Sequence, residues 1–170
     1  MPNWIEGTLK VRGKYNDILK FFREGVTCYQ KSGDRDAVMP AEKWIEIREN
    51  DDPKYGKWAN IQLLYDEWAY VNDTRRAFVF DNGAAGDNEI YPNKDEKQIV
   101  MCKVVQAWSF DPEDWMAVSE KYHVDFRLYG LERGMEFGQE IEIVDGKLTL
   151  NTSFGYDDWD WTCPFPWLGG

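Results

Sequence analysis

From Val104 to Thr152 the sequence carries, end to end, the signals of a strand, a helix and three further strands. Asp111 suits a helix N-cap and Pro112 the first helical position, since the first turn has no backbone partner for the proline's missing N–H. Asp114 stands three residues after the cap, as the acid of a capping box does. Trp115, Val118, Ser119 and Tyr122 fall at i, i+3, i+4 and i+7, which lays one largely apolar stripe along a helix over Pro112–Tyr122. Val124, Phe126 and Leu128 then alternate with Asp125, Arg127 and Tyr129, the period of a half-buried strand. Glu132-Arg133-Gly134 reads as a turn. Met135 to Val144 alternates again, with Phe137, Gln139, Ile141 and Ile143 on one side and Glu136, Glu140 and Glu142 on the other. Asp145-Gly146 is a hairpin signal leading into a strand over Lys147–Thr152. A helix laid on one face of a mostly antiparallel sheet is the economical way to bury these faces.

The preceding residues extend the pattern. Ile5, Leu9 and Val11 share one face of a strand that Gly13 ends. Asn16 or Asp17 can cap a helix running to Glu24, with Gly25 as its stop. Residues 29 to 72 are less regular: Trp44 to Arg48 suits a short strand, and Ala59 to Val71 contains at least one more. Thr74 to Phe80 reads as a strand, and Asp81 to Asn88 as a loop. Gln98 to Ala107, almost continuously apolar, reads as a central strand. Gly155 to Trp167, with its two prolines and three tryptophans, has neither period and is expected to lie extended against the rest. The expected fold class is therefore α+β. It is a ferredoxin-like antiparallel sheet with two helices on one face, an insertion over about 29–72, extra C-terminal strands and an extended tail over 155–170. The 170 residues suit a single domain.

Charge separates the chain into two halves. Residues 1–105 carry a net charge of −2, and residues 106–170 carry −9. A surface of that sign repels nucleic acid and attracts basic partners. No apolar run approaches the length that spans a bilayer, and no basic segment followed by an apolar one opens the chain. Cys28, Cys102 and Cys163 have no metal-ligand spacing and suit free thiols of a reducing compartment, so a bacterial cytoplasm is the expected location.

Two segments resemble a known family. Met1-Pro2-Asn3-Trp4, leading into a strand with Gly7, resembles the opening of the YubB ferredoxin-like family of phage and plasmid accessory proteins. Trp108, Phe110–Trp115, Ser119–Tyr122 and Glu132–Gly138 resemble that family's second half. The resemblance covers residues 1–13 and about 98–145. Members often carry Cys after the Asn-Trp pair, where this chain has Ile5. The resemblance implies a ferredoxin-like fold and a mobile-element origin, and brings no catalytic motif with it.

Motifs for chemistry are sparse. The one histidine, His123, stands where a helix should give way to a strand, and capping that helix is its expected role. Gly83-Ala84-Ala85-Gly86 lacks the Lys-Ser/Thr of a phosphate loop. Asp157, Asp158 and Asp160 are the carboxylates closest to a hard-cation set, without the spacing of a calcium loop. Arg75-Arg76 is the basic pair beside an aromatic strand, which is the minimum for nucleic-acid binding by a sheet face. No cofactor is implied. The pattern that stands out is Asp157-Asp158-Trp159-Asp160-Trp161. Tryptophan dominates interface energetics, and carboxylates among aromatics can imitate a phosphate backbone before a basic groove. With Glu136, Glu140 and Glu142, these five residues form the expected partner-binding surface. The first reading is a non-enzymatic accessory protein that inhibits a host nucleic-acid enzyme or defence system, such as a Cas nuclease, without binding nucleic acid itself. The alternatives are a nucleic-acid or nucleotide-binding module using the sheet face, and a small metal-dependent hydrolase.

Overall fold

A computed structural model of the chain describes residues 3–29, 38–49, 56–63, 68–81 and 88–170. The chain opens with β1 (Trp4–Gly13) and α1 (Tyr15–Lys20), which widens into a π-helical turn over Phe21–Gly25. Then come β2 (Val26–Tyr29), β3 (Val38–Met39), a 3-10 turn over Ala41–Lys43, β4 (Ile45–Glu49) and β5 (Lys57–Ile61). β6 (Trp68–Val71), β7 (Ala77–Phe80), β8 (Glu89–Ile90) and β9 (Gln98–Ala107) follow. The C-terminal third holds α2 (Pro112–Tyr122), β10 (Asp125–Glu132), β11 (Phe137–Val144), β12 (Lys147–Gly155) and α3 (Trp159–Thr162).

Nine strands make one sheet in the order β12-β11-β10-β1-β9-β7-β6-β2-β3, and β4-β5-β8 make a second. All the strand pairs are antiparallel. This architecture overturns the expectation of a two-helix ferredoxin-like α+β fold: the described chain is mostly antiparallel sheet, its three helices are short, and only 20% is helical. The reason lies in the region read as an insertion. Its β-branched and aromatic segments do not hang outside the sheet. β6 pairs with β2 and β7, so they widen the main sheet, while β4 and β5 found the second.

Local chemistry sets several boundaries. Asp111 caps α2 by accepting from the Glu113 N–H at 3.1 Å, and His123 closes that helix in the left-handed conformation, φ 57°. α1 starts at Tyr15, before Asn16 and Asp17, and the Lys14 that precedes it makes no side-chain cap bond. The predicted strand from Thr74 begins only at Ala77, because the Thr74 hydroxyl donates to the Val71 carbonyl at 2.6 Å and accepts from the Ala77 N–H at 3.3 Å, closing a turn. Gly7 lets β10 come close: a Cβ there would lie 1.9 Å from the Tyr129 carbonyl oxygen.

One face of the large sheet is the core. Ile5, Leu9 and Val11 of β1 are fully buried on it, in register with Val100, Cys102, Phe126 and Leu128. The turn after α1 and the α2 helix cover this face together. Phe21 meets Phe126 and Tyr122 edge-on at 5.3 and 5.8 Å, and Trp115 meets Phe126 at 5.0 Å. The Trp115 indole N–H donates to Gln106 Oε1 at 2.9 Å, so the polar atoms of both buried side chains are paired. The second sheet joins the same core, with Trp44 packed edge-on against Phe22.

Candidate functional site

Among the described residues, the opposite face of the sheet carries no helix but the four-residue α3 of the tail. Along β1 the side chains of Thr8, Lys10 and Arg12 are exposed although β1 lies between β9 and β10, far from either sheet edge. What covers this face is the C-terminal tail, at one end. Leu131, Trp159 and Cys163 form a small buried cluster there, bordered by Tyr129, Phe154, Tyr156 and Leu168. Tyr129 stacks on Phe154, which meets Tyr156, which meets Trp159, each at 5.4 to 5.9 Å between ring centres. Burial, together with hydrogen bonding to the Tyr129 and Cys163 side chains, pushes the Tyr156 phenol well above its ordinary range. The chain end is tied down as well: the Gly170 N–H donates to the Trp4 carbonyl at 3.0 Å and the Gly169 N–H to Glu6 Oε2 at 3.2 Å.

The tail is thus not extended throughout, as the sequence suggested, but turns through α3. Asp158 caps that turn, its carboxylate accepting from the Trp161 N–H at 3.2 Å, while the Thr162 hydroxyl donates to the Asp158 carbonyl at 2.6 Å. The helical geometry gives the two nearby tryptophans opposite fates. Trp159 is 5% exposed, and its indole donates to the Pro166 carbonyl at 2.9 Å. Trp161 is 86% exposed, and Asp157 and Asp160, close to it in sequence, are exposed as well. Phe165 and Trp167 are exposed beyond it and pack edge-on against each other at 5.8 Å.

The eight residues predicted as a partner surface therefore divide. Asp157, Asp160 and Trp161 face solvent together on the tail. Asp158 and Trp159 hold the tail in shape. Glu136 is exposed in the turn before β11, at φ 55°, and its carbonyl lies beside Gly155, where the tail begins. Glu140 and Glu142 lie on the uncovered sheet face and share one counter-charge there: Arg127 donates to Glu140 Oε1 at 2.6 and 3.0 Å and to Glu142 Oε2 at 2.9 Å.

An open sheet face was expected, but its residues went unread in the sequence, although the alternation of Thr8, Lys10 and Arg12 with Leu9 and Val11 announces them. A shallow cavity of about 190 Å³ lies over it, lined by Lys10, Arg12, Ile99, Asp125, Arg127 and Glu142 among others. A second of about 170 Å³ shares Lys10 and Arg127 and adds Thr8, Tyr129 and Glu140. Most cations here are paired. Arg12 and Lys97 hold Asp125 at 2.8 and 2.9 Å, and Lys103 pairs with Glu6. Lys10 makes no ion pair among the described residues. Burial alone would push the Asp125 carboxyl up. Hydrogen bonds from Lys97, the Asp145 backbone N–H and Arg12 outweigh it and hold the carboxyl below its ordinary value. Trp4, Phe78 and Tyr70 form a half-buried aromatic row further along, at 6.0 and 5.6 Å.

The remaining candidates are dispersed. Arg75 and Arg76 occupy the turn before β7, and the Arg75 N–H donates to Asp114 at 2.6 Å. Gly83–Gly86 lies outside the described residues. Cys28, Cys102 and Cys163 are buried, and burial pushes the Cys102 thiol far above its ordinary value. Among the described residues no three His, Cys, Asp or Glu side chains are grouped to hold a metal ion, and no described helix is long and apolar enough to cross a membrane. Compared with family models, curated proteins and solved structures, the chain matches none.

Proposed function

We propose that this protein acts by protein binding, through the acidic and aromatic surface of its C-terminal tail, on a basic surface of its partner. The observation that carries this reading is Trp161, 86% exposed in the same short segment as the exposed Asp157 and Asp160, on a tail whose neighbouring Trp159 is buried against the sheet. A large indole held out on a fixed support loses little freedom on docking, and tryptophan is the side chain that most often anchors an interface. The partner class follows from charge: residues 106–170 carry −9, and long-range attraction then selects a cationic groove. Enzymes that hold nucleic acid have such grooves, and RNA-guided nucleases are a strong case. With the likeness of residues 1–13 and 98–145 to phage and plasmid accessory proteins, the sharpest form of the proposal is a non-enzymatic counter-defence inhibitor working in the bacterial cytoplasm.

Asp158 should be left alone in the test, because it caps α3. The variant Asp157→Lys/Asp160→Lys/Trp161→Ala changes exposed side chains only, so it should fold as wild type does. Against a guide-loaded Cas nuclease, wild type should bind and lose affinity as salt rises, and the variant should bind at least tenfold more weakly with a flatter salt dependence. Equal binding by both proteins at low and high salt would remove the tail from the interface.

A second reading rests on Lys10, a cation with no ion pair among the described residues, in the cavity beside Tyr129 on the uncovered face. There the ligand would be a nucleotide or a single strand, with bases stacked on aromatics and phosphate on the lysine. Labelled oligonucleotides distinguish the two readings. A sheet-face binder loses them on Lys10→Glu, whereas a tail-mediated protein binder has no affinity for them to lose.

A further inference from the structure

We propose that β12 is a self-association edge: two copies of this chain pair their β12 strands antiparallel about Thr152, across a two-fold axis, and join two nine-stranded sheets into one. Among the described residues, β12 closes one side of the sheet and pairs only with β11. Beyond that ladder, residues 147–155 make no backbone–backbone hydrogen bond among the described residues. A row of outward N–H and C=O groups is a template for another strand, and sheet proteins normally blunt it with charge, proline, a bulge or a short strand. The other edge is blunted in that way, since β3 has only two residues. β12 is nine residues long, none of them buried, and from Leu148 to Gly155 it holds neither a charge nor a proline. Its irregularity lies at its start, opposite Glu142 and Ile143, and leaves Leu150–Gly155 in regular register.

The sequence of the edge selects a second copy as occupant. Leu150, Thr152 and Phe154 lie opposite Glu142, Glu140 and Gly138, which places them on the uncovered face of the sheet. Antiparallel pairing about Thr152 sets Leu150 against Phe154 twice, Thr152 against itself and Asn151 against Ser153. Each contact joins like with like on the correct face, and apolar and Thr–Thr cross-strand pairs are the stabilising kinds. Two chains of net charge −11 repel each other, so a copy can approach only where charge is absent. This strand is such a place: the nearest carboxylates on that face, Glu140 and Glu142, are one strand inward and bound to Arg127. In the pair the two tails leave β12 in opposite directions, so one dimer would present two tail surfaces.

Sedimentation equilibrium of the full chain over a wide concentration range should show a mass rising from 20.0 kDa towards twice that value, and more readily as salt screens the repulsion. Thr152→Lys sets like charges directly opposite each other and should hold the chain at a single mass throughout, with its circular dichroism unchanged. Thr152→Cys should cross-link to itself on mild oxidation, whereas Leu148→Cys, paired with Tyr156 in this register, should not; the native cysteines are buried and stay out of the reaction. A wild-type chain monomeric at every concentration, or a dimer that survives Thr152→Lys intact, overturns the proposal. Should Thr152→Lys unfold, the cysteine pair decides alone: a cross-link at 152 and none at 148 supports the register, and any other pattern refutes it.

Discussion

The two faces of the large sheet are built from the same strands and do opposite things. Along β1, Ile5, Leu9 and Val11 enter a core closed by α1, α2 and the second sheet, and each is fully buried. Their neighbours Thr8, Lys10 and Arg12 look out over cavities and ion pairs that none of the described residues covers. The covered face is specified by packing, where each side chain has one place. The other is held by charge pairs and by a tail stapled across one end, and its exposed groups are free to meet something else. A nine-stranded sheet can leave so much of one side open because the covered side already buries a continuous apolar surface.

The comparison predicts where substitution is costly, and Trp115→Ala on the covered face should be the worst case. It removes a fully buried indole between α2 and Phe126 and leaves Gln106 Oε1 without its donor. A loss of about 3–5 kcal/mol in urea unfolding is expected. A loss no larger than that of Trp161→Ala, whose side chain is exposed, would mean that α2 does not close the core as described.

How much of this was legible follows from how far each signal reaches along the chain. The limits of β9 and α2 follow from an apolar run and from an Asp-Pro cap, both local features. The second sheet was not legible, because β4, β5 and β8 are short and find each other across residues 45–90. Within the candidate site, the exposure of Asp157 and Asp160 was readable from composition. The burial of Trp159 was not, since it depends on the rotation of a four-residue helix against Tyr156 and Leu131. The pairing of Glu140 and Glu142 with Arg127 was hidden for a similar reason: Arg127 reaches them only through the β10–β11 register, which sets it opposite Glu142.

Asp125 tests the border between the faces. It is nearly buried yet opens into the larger cavity, and it is held by Lys97, Arg12 and the Asp145 N–H. Its carboxyl titrates lower in the folded chain than in the unfolded one. Its contribution is therefore present above the unfolded value, near pH 3.9, and is lost as pH falls through the folded value. Asp125→Asn should cost about 1–3 kcal/mol at neutral pH. The gap between wild type and variant should close as pH falls through that window in a series of urea titrations. A gap that stays constant with pH would assign the effect to packing instead of charge.

The smallest change in stability, and the most informative one for function, is expected at Arg127 on the uncovered face. Its guanidinium is about half exposed, so its pairs with Glu140 and Glu142 are screened by water. Replacing it with Met keeps most of the apolar stem over the sheet and should cost no more than about 1 kcal/mol. The surface changes far more than the fold does. Glu140 and Glu142 lose their counter-charge, and the net charge of the chain moves from −11 to −12. A basic protein docking on the tail would be met by a stronger field of the same sign, so its association rate should hold or rise and its salt dependence steepen. A phosphate-bearing ligand lying over Lys10 would meet two freed carboxylates in the cavities it must occupy, and its binding should fall. Measuring Arg127→Met against both kinds of partner asks which side of the molecule is used. A variant that loses its protein partner while keeping its stability would move the interface from the tail to the open sheet.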